Sequence, residues 1–122
     1  MDWVRAVHPL LFLSLQKQGK QVVPLDIELT EGKRILIISG PNAGGKSVCL
    51  KTVGLLQYML QCGLLIPLHE RSRTGIFEHI FIDIGDEQSI ENDLSTYSSH
   101  LTNMKYFVKN CNERTIILID EF

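Results

Sequence analysis

The sequence predicts an α/β fold in which apolar strands run into loops at one edge of a sheet. An apolar run at residues 35–38 enters a glycine-rich loop at residues 40–47, and a helix-compatible run follows. A second apolar run at residues 116–119 ends in Asp120 and Glu121. Strands of parallel sheets read as continuous apolar runs, and ligands bind at their carboxyl ends. Both loops are therefore expected at one edge of a single sheet.

Hydrophobic periodicity predicts the remaining elements. In chain order, the pattern indicates an apolar stretch at 9–15, a half-buried strand within 21–29, a buried strand at 34–39, a helix at about 46–61 with Gly63 as its C-cap, a strand at 80–84, a helix at 95–111 and a last strand that leads into Asp120. The second helix is assigned one apolar stripe, formed by Tyr97, Leu101, Met104, Val108 and Cys111. The 122 residues are expected to form one domain.

The glycine-rich loop matches the phosphate-binding pattern G-x-x-x-x-G-K-[ST]. The predicted cofactor-binding residues are Gly40, Pro41, Asn42, Ala43, Gly44, Gly45, Lys46, Ser47 and the adjoining Val48. Glycines let successive N–H groups point at one anion, and the next helix directs its positive end at the same phosphate. Lys46 can reach the terminal phosphates, and the Ser47 hydroxyl can ligate Mg²⁺. A glycine-rich turn can match by chance, but the flanking patterns favour an ATP and Mg²⁺ site.

The apolar run before Asp120 has the form of a Walker B strand. Asp120 would hold Mg²⁺, and Glu121 would act as the general base on the attacking water. Glu121 and Lys46 are the predicted catalytic residues. The alternative is an ordinary core strand that ends in two solvated acids. The phosphate-binding pattern upstream favours the catalytic interpretation.

The start of the helix at 95–111 and the segment around Gln88 each have two possible interpretations. Ser95 or Asp93 is a natural N-cap for the helix at 95–111, and the same helix start could bind a phosphate. Gln88, after the predicted strand at 80–84, could sense Mg²⁺ or the attacking water, or could belong to a solvated acidic loop. The residues alone leave both questions open.

Composition excludes several classes of function. The net charge is −2 and no basic stripe is present, so this segment is not expected to bind DNA by electrostatics alone. The three cysteines lack metal-ligand spacing and are expected to be small buried residues in a reducing compartment. The sequence contains no membrane-span-length apolar run and no signal peptide, which predicts a cytoplasmic protein. The end of the sequence just after Glu121 is expected to mark a fragment of a larger protein.

Together these motifs resemble the ATPase domain of the MutS family, a branch of the ABC-type ATPases. Residues 40–47 look like the family's P-loop, with Pro-Asn after the first glycine. Residues 83–90 and 94–101 are similar to its middle motif and its Ser-Thr-aromatic signature. Asp120 and Glu121 match its Walker B, and residues 8–10 resemble the His-Pro that opens the domain. The sequence of residues 83–101 most resembles the second MutS branch, and the mismatch-repair branch is the near alternative.

The resemblance implies a P-loop NTPase (ABC-type) sheet with flanking helices, incomplete at the C-terminus, in which residues 1–122 are the N-terminal part of the ATPase domain. It also implies a head-to-tail homodimer with composite ATP sites. Ser95 would contact the γ-phosphate held by the partner's P-loop, and Asn42 would line the same site. Mismatched or branched DNA, or the ribosome, would be bound through other domains, with no membrane partner.

Two competing functions remain. Other ABC-type machines carry a Leu-Ser-Gly-Gly signature shortly before Walker B, but residues 110–113 read Asn-Cys-Asn-Glu. The second competitor is a truncated fragment that binds nucleotide or dimerises without turnover.

Overall fold

The computed structural model of the protein describes residues 1–41, 45–85 and 93–120. In chain order, the elements within these ranges are β1 (Asp2–Ala6), α1 (Pro9–Lys17), β2 (Leu25–Glu28), α2 (Lys46–Gln61), β3 (His79–Asp83), α3 (Asp93–Asn110) and β4 (Thr115–Ile119). The chain divides into two compact units, Met1–Gly75 and Ile76–Phe122. The predicted α/β class is confirmed. The sheets that the described residues form are small, with β1 paired to β2 and β3 paired to β4.

The first unit is built around β1. This strand pairs with β2 in antiparallel fashion, with Trp3 opposite Ile27, and both side chains are buried with Ala6. The register shifts after Trp3, where Arg5 takes a left-handed backbone conformation with φ of 54° and its N–H donates to Asp26 Oδ1 at 2.7 Å. Such a bulge bends the strand, and the hydrogen bond satisfies the N–H group that it displaces from the ladder.

Helix α1 is not among the elements that apolar periodicity predicts. His8 is its N-cap, and His8 Nδ1 accepts a hydrogen bond from the Leu11 N–H at 3.2 Å. Pro9 occupies the first helical position, where its missing N–H has no intrahelical partner to lose and its fixed φ favours the helix. The sequence cues for this helix are therefore a histidine cap and a proline, which a search for apolar spacing does not detect.

Helix α2 has the bounds that the sequence predicts. It begins after Gly45 and ends before Gly63, whose φ of 84° lies in the left-handed region that favours glycine. Gly63 N–H donates to the Leu60 carbonyl at 2.9 Å, and Leu64 N–H donates to the Met59 carbonyl at 3.0 Å. This pair of bonds is the Schellman arrangement, in which Cys62 is the C-cap and Gly63 is the left-handed residue after it, so the predicted C-cap lies one residue too late.

The buried face of α2 contains a polar side chain as well as apolar ones. Gln57 is fully buried, as is its apolar neighbour Leu56. Gln57 Nε2 donates to the Gly75 carbonyl at 2.9 Å, and Gln57 Oε1 accepts from the Thr74 hydroxyl at 3.1 Å. A buried amide is tolerated only when its donors and acceptors are paired, so these bonds attach residues 74–75 to the helix.

The predicted buried strand at residues 34–39 does not form in the described structure. Its apolar side chains are exposed, with Ile35 and Ile37 each at 84%. A strand is stable only when a neighbouring strand satisfies its backbone groups and other side chains cover its faces. The apolar run alone therefore predicts burial that the described residues do not provide.

The second unit packs α3 against a parallel pair of strands. β3 and β4 pair in register from His79 opposite Thr115 to Asp83 opposite Ile119. The ring of Phe81 on β3 stacks against Phe107 on α3, with centroids 5.1 Å apart. These findings confirm the strands predicted at 80–84 and before Asp120 and the helix predicted at 95–111, each within two residues.

The predicted apolar stripe of α3 is wrong. Tyr97, Leu101 and Val108 are exposed, and Val108 is 81% accessible. The face that meets β3 carries Phe107 together with the half-buried side chains of His100 and Asn103. Two of these three residues are polar, so a search for apolar spacing assigns the wrong face of the helix.

The predicted burial of the cysteines is also wrong. Cys62 and Cys111 are exposed and Cys49 is only partly buried. Cys62 is the C-cap of α2 and Cys111 directly follows α3. Across the residues that the structure describes, no helix has both the length and the apolar character needed to span a membrane.

Candidate functional site

The glycine-rich loop leads into α2 through Gly45, whose backbone conformation is one that glycine adopts more readily than other residues do. Gly45 is the N-cap of α2, with φ of 85° and ψ of 19°, and this left-handed conformation is strained for residues with a Cβ atom. Having no side chain, it makes no side-chain cap hydrogen bond. Its carbonyl accepts the first intrahelical bond, from Cys49 N–H at 3.0 Å. The helix therefore begins without a side-chain acceptor at its N-cap, as anion-binding helix starts do.

Lys46 folds back over the loop from the first turn of α2. Its Nζ donates a hydrogen bond to the Gly40 carbonyl at 2.7 Å, so this charged contact joins the first residue of the loop to the start of α2. An ammonium group has several N–H donors on a flexible stem. Lys46 can thus keep contact with the loop backbone and still direct a donor at an anion held by that loop.

The structure describes part of the predicted phosphate-binding set. Gly40 and Pro41 are exposed, whereas Gly45, Lys46 and Ser47 are partly buried. Val48 is 40% exposed in the first turn of α2. The other predicted residues lie outside the description: the loop residues Asn42, Ala43 and Gly44, the acidic-loop residue Gln88 and the predicted base Glu121.

Asp120 lies directly after β4, at the carboxyl end of the parallel pair. It is 9% exposed, and its backbone N–H donates to the Asp83 carbonyl at 2.9 Å. Asp83 is the last residue of β3, and β3 runs parallel to β4. The two acidic residues therefore lie at the carboxyl ends of adjacent strands. The placement of Asp120 at the carboxyl end of a parallel strand confirms that part of the prediction, and carboxylates there suit a hard cation such as Mg²⁺.

Sequence reasoning assigns no role to Asp83, which the structure surrounds with partners. Its side chain is buried; Oδ2 contacts His100 Nδ1, and Oδ1 accepts a hydrogen bond from Asn103 Nδ2 at 3.0 Å. His100 and Asn103 are three residues apart and therefore share one face of α3. One cue is present in the sequence: Asp83 is the acidic residue within the otherwise apolar run at residues 80–84.

Ser95 is the third residue of α3, within its first turn. Its side chain lies outside the described atoms, so the anion-site interpretation stays a prediction. Among the described residues, no three His, Cys, Asp or Glu side chains gather into a metal-binding group. A nucleotide-bound Mg²⁺ needs no such group, because phosphate oxygens and waters supply most of its ligands.

The chain is similar in sequence to a MutS family model and to proteins named Endonuclease MutS2. Residues 36–122 match the family model described as MutS domain V. The chain is 54% identical over 114 residues to the protein named Endonuclease MutS2 from Agathobacter rectalis, an alignment that covers 93% of this chain and 14% of that protein. It is 49% identical over 121 residues to Endonuclease MutS2 from Clostridium kluyveri, covering 99% of this chain and 15% of the relative. The chain thus spans 14–15% of the length of these relatives.

Proposed function

This chain belongs to the MutS family, and we propose that it forms the nucleotide-binding part of an ATPase domain. Residues 40–48 would hold the triphosphate of ATP. The observation that carries this proposal is the start of α2, where the left-handed Gly45 provides a helix N-terminus with no side-chain cap and Lys46 closes the loop onto the Gly40 carbonyl. Helix N-termini behind glycine-rich loops favour phosphate because the N–H groups and the helix dipole act on the same anion.

Lys46 would exchange or share its contact with Gly40 when ATP binds. Its ammonium would neutralise charge on the β- and γ-phosphates, which grows on the transferred group in the transition state. The partly buried Ser47 would offer its hydroxyl to Mg²⁺. The backbone of Val48, in the same turn, would contribute to the helix dipole.

The carboxyl end of β4 would provide the acidic half of the site. Asp120 would hold Mg²⁺ through its bound waters, and Glu121 would accept a proton from the attacking water. Bound Mg²⁺ would supply charge neutralisation to the phosphates. The low exposure of Asp120 supports this role, since a partly desolvated carboxylate attracts a cation more strongly than a solvated one does.

We further propose that the site is completed by a second copy of the protein. Ser95 in the first turn of α3 would contact the γ-phosphate bound by the partner's loop, so ATP would hold two domains together and hydrolysis would release them. The whole protein would act in the cytoplasm on mismatched or branched DNA, or on the ribosome. With a net charge of −2, this chain would leave nucleic acid contacts to other regions. The relatives' name, Endonuclease MutS2, supports the DNA assignment.

The experiment compares Lys46→Ala with Lys51→Ala in the full-length protein. Both changes remove one positive charge from α2, but Lys51 lies on the exposed part of the helix beyond its first turn. Binding of ATP and Mg²⁺ is measured by isothermal titration calorimetry, and turnover by phosphate release. We expect Lys46→Ala to weaken binding by about ten- to a hundredfold, the range for a lost charge-assisted hydrogen bond.

We expect Lys51→Ala to bind ATP as the unchanged protein does. Equal ATP affinity in Lys46→Ala and the unchanged protein would refute the proposed site.

Turnover per chain should also rise with protein concentration if two copies share each site. Turnover that is independent of concentration in a monomeric protein would refute the shared site alone.

A further inference from the structure

Asp83, the last residue of β3, contacts α3 through its side chain and the residue after β4 through its backbone. Its carboxylate takes His100 Nδ1 on one oxygen and Asn103 Nδ2 on the other, and both partners lie on α3. Its backbone carbonyl accepts the N–H of Asp120 at 2.9 Å, and its neighbours along β3 pair with β4. One residue therefore contacts the helix that carries Ser95 and the residue proposed to hold Mg²⁺.

We propose that Asp83, acting with His100, is a positioning residue for the ATPase site. It sets the position of Asp120 relative to the first turn of α3. This inference rests on the proposed function, since it assigns the arrangement of that same site. Asp83 is not proposed to touch ATP, metal or the attacking water.

Burial explains why these contacts hold a single geometry. Asp83 is 8% exposed, and a carboxylate removed from water is costly unless hydrogen bonds satisfy its oxygens. His100 and Asn103 supply those bonds from one face of α3. If α3 rotated or slid along the sheet, both bonds would break together. The polar pair thus restricts α3 more narrowly than apolar contacts such as Phe81 with Phe107, which tolerate small shifts.

The same contacts would link the first turn of α3 to Asp120. Ser95 lies five residues before His100, which is roughly 7.5 Å along a helix axis. A pull on the first turn of α3 is carried by this short rigid segment to His100, and from there to Asp83. Because the Asp83 carbonyl holds the Asp120 N–H, displacement of Asp83 shifts the proposed Mg²⁺ ligand. Contact of Ser95 with a partner's nucleotide would in this way be felt at Asp120.

The test uses three substitutions in the full-length protein. His100→Leu keeps the approximate size of the side chain and removes the Nδ1 contact. His100→Asn places an amide nitrogen one bond from Cγ, where Nδ1 lies in histidine, and so can restore a donor to Asp83. Thr102→Ala is the matched control, because Thr102 is exposed on the same helix and donates only a local bond to the Ser98 carbonyl.

We expect His100→Leu to lower kcat by about ten- to a hundredfold, as small misplacements of catalytic groups do. The dissociation constant for ATP measured without Mg²⁺ should change by less than about threefold, because neither Asp83 nor His100 is proposed to contact the nucleotide. The Mg²⁺ concentration for half-maximal turnover should rise, which loss of fold stability alone would not produce. His100→Asn should recover kcat to within about threefold of the unchanged protein, and Thr102→Ala should match it.

Normal kcat in His100→Leu would overturn the inference, and so would His100→Asn being as impaired as His100→Leu. If circular dichroism shows that His100→Leu does not fold, Asn103→Ala is measured instead. It should lower kcat several-fold with unchanged ATP affinity, and an unchanged kcat there overturns the inference. If the unchanged protein neither binds nor hydrolyses ATP, the proposed function fails, and the inference fails with it. Normal turnover in the unchanged protein and in His100→Leu rejects only the role of Asp83.

Discussion

Lys46 Nζ lies 2.7 Å from the Gly40 carbonyl oxygen, so the cation of the glycine-rich loop is held by the first residue of that loop. The contact is local, since only six positions separate the two residues. It keeps the ammonium near the backbone that the motif is expected to wrap around phosphate. Binding of the proposed phosphate would therefore require only a short movement of an already oriented side chain, which would limit the entropy lost on binding.

The left-handed N-cap of α2 gives the first prediction. Gly45→Ala should lower the free energy of unfolding by about 1–2 kcal/mol, because a Cβ atom disfavours φ of 85° whatever the surrounding space. ATP affinity should fall as well, since the strained residue relaxes by moving the helix start. Urea denaturation followed by circular dichroism measures the first effect and calorimetry the second.

Gly32→Ala is the control for that experiment. A Cβ atom added at either Gly32 or Gly45 would meet open space, but Gly32 does not have φ in the left-handed region. The Gly32 substitution should change the free energy of unfolding by less than about 0.5 kcal/mol. Equal effects of the two substitutions would contradict the strain argument.

The packing of α3 gives the second prediction. Phe107→Ala should destabilise the chain by about 3–5 kcal/mol, because the ring is 7% exposed and stacks on Phe81. Val108→Ala, one position along the helix and 81% exposed, should cost less than about 0.5 kcal/mol. Urea unfolding of both variants distinguishes the observed buried face from the apolar stripe that periodicity suggests. A larger cost for Val108→Ala would reverse the assignment.

The proposed base gives the third prediction. Glu121→Gln in the full-length protein should bind ATP normally and hydrolyse it about 10²–10⁴-fold more slowly, because the amide cannot accept the proton of the attacking water. Single-turnover phosphate release measures the loss. Glu113→Gln removes one acid from the exposed turn before β4 and is the matched control, with turnover expected to be unchanged. Turnover of Glu121→Gln at the normal rate would eliminate Glu121 as the base.

The shared site gives the fourth prediction. Ser95→Ala and Lys46→Ala should each be inactive in homodimers, because every site then lacks one component. When the two variants are mixed, a heterodimer has one intact site formed by the loop of one copy and Ser95 of the other. Phosphate release should therefore reappear on mixing, at up to about one quarter of the normal rate for random pairing of two-site dimers. A mixture that stays inactive, although subunit exchange is verified by cross-linking, would contradict the head-to-tail arrangement.

Local signals sufficed for several elements of this protein. The bounds of α2 follow from Gly45 and Gly63, which lie next to the helix and act through their own backbone conformations. β3 and β4 are apolar runs bounded by polar residues, and Asp120 falls at the strand end as expected. By contrast, α1 depends on the His8 cap and Pro9, which are also local but do not alter apolar spacing.

By itself, the sequence determined the phosphate-binding pattern, the extent of α2 and the acidic residue after β4, because each depends on residues that are neighbours in the chain. Only the tertiary structure decided which face of α3 is buried and which residues surround Asp83. His100 and Asn103 turn inward because a carboxylate 17 and 20 positions away accepts their hydrogen bonds. The exposure of residues 34–39 is likewise a matter of distant partners, since burial of an apolar run requires other segments to cover it.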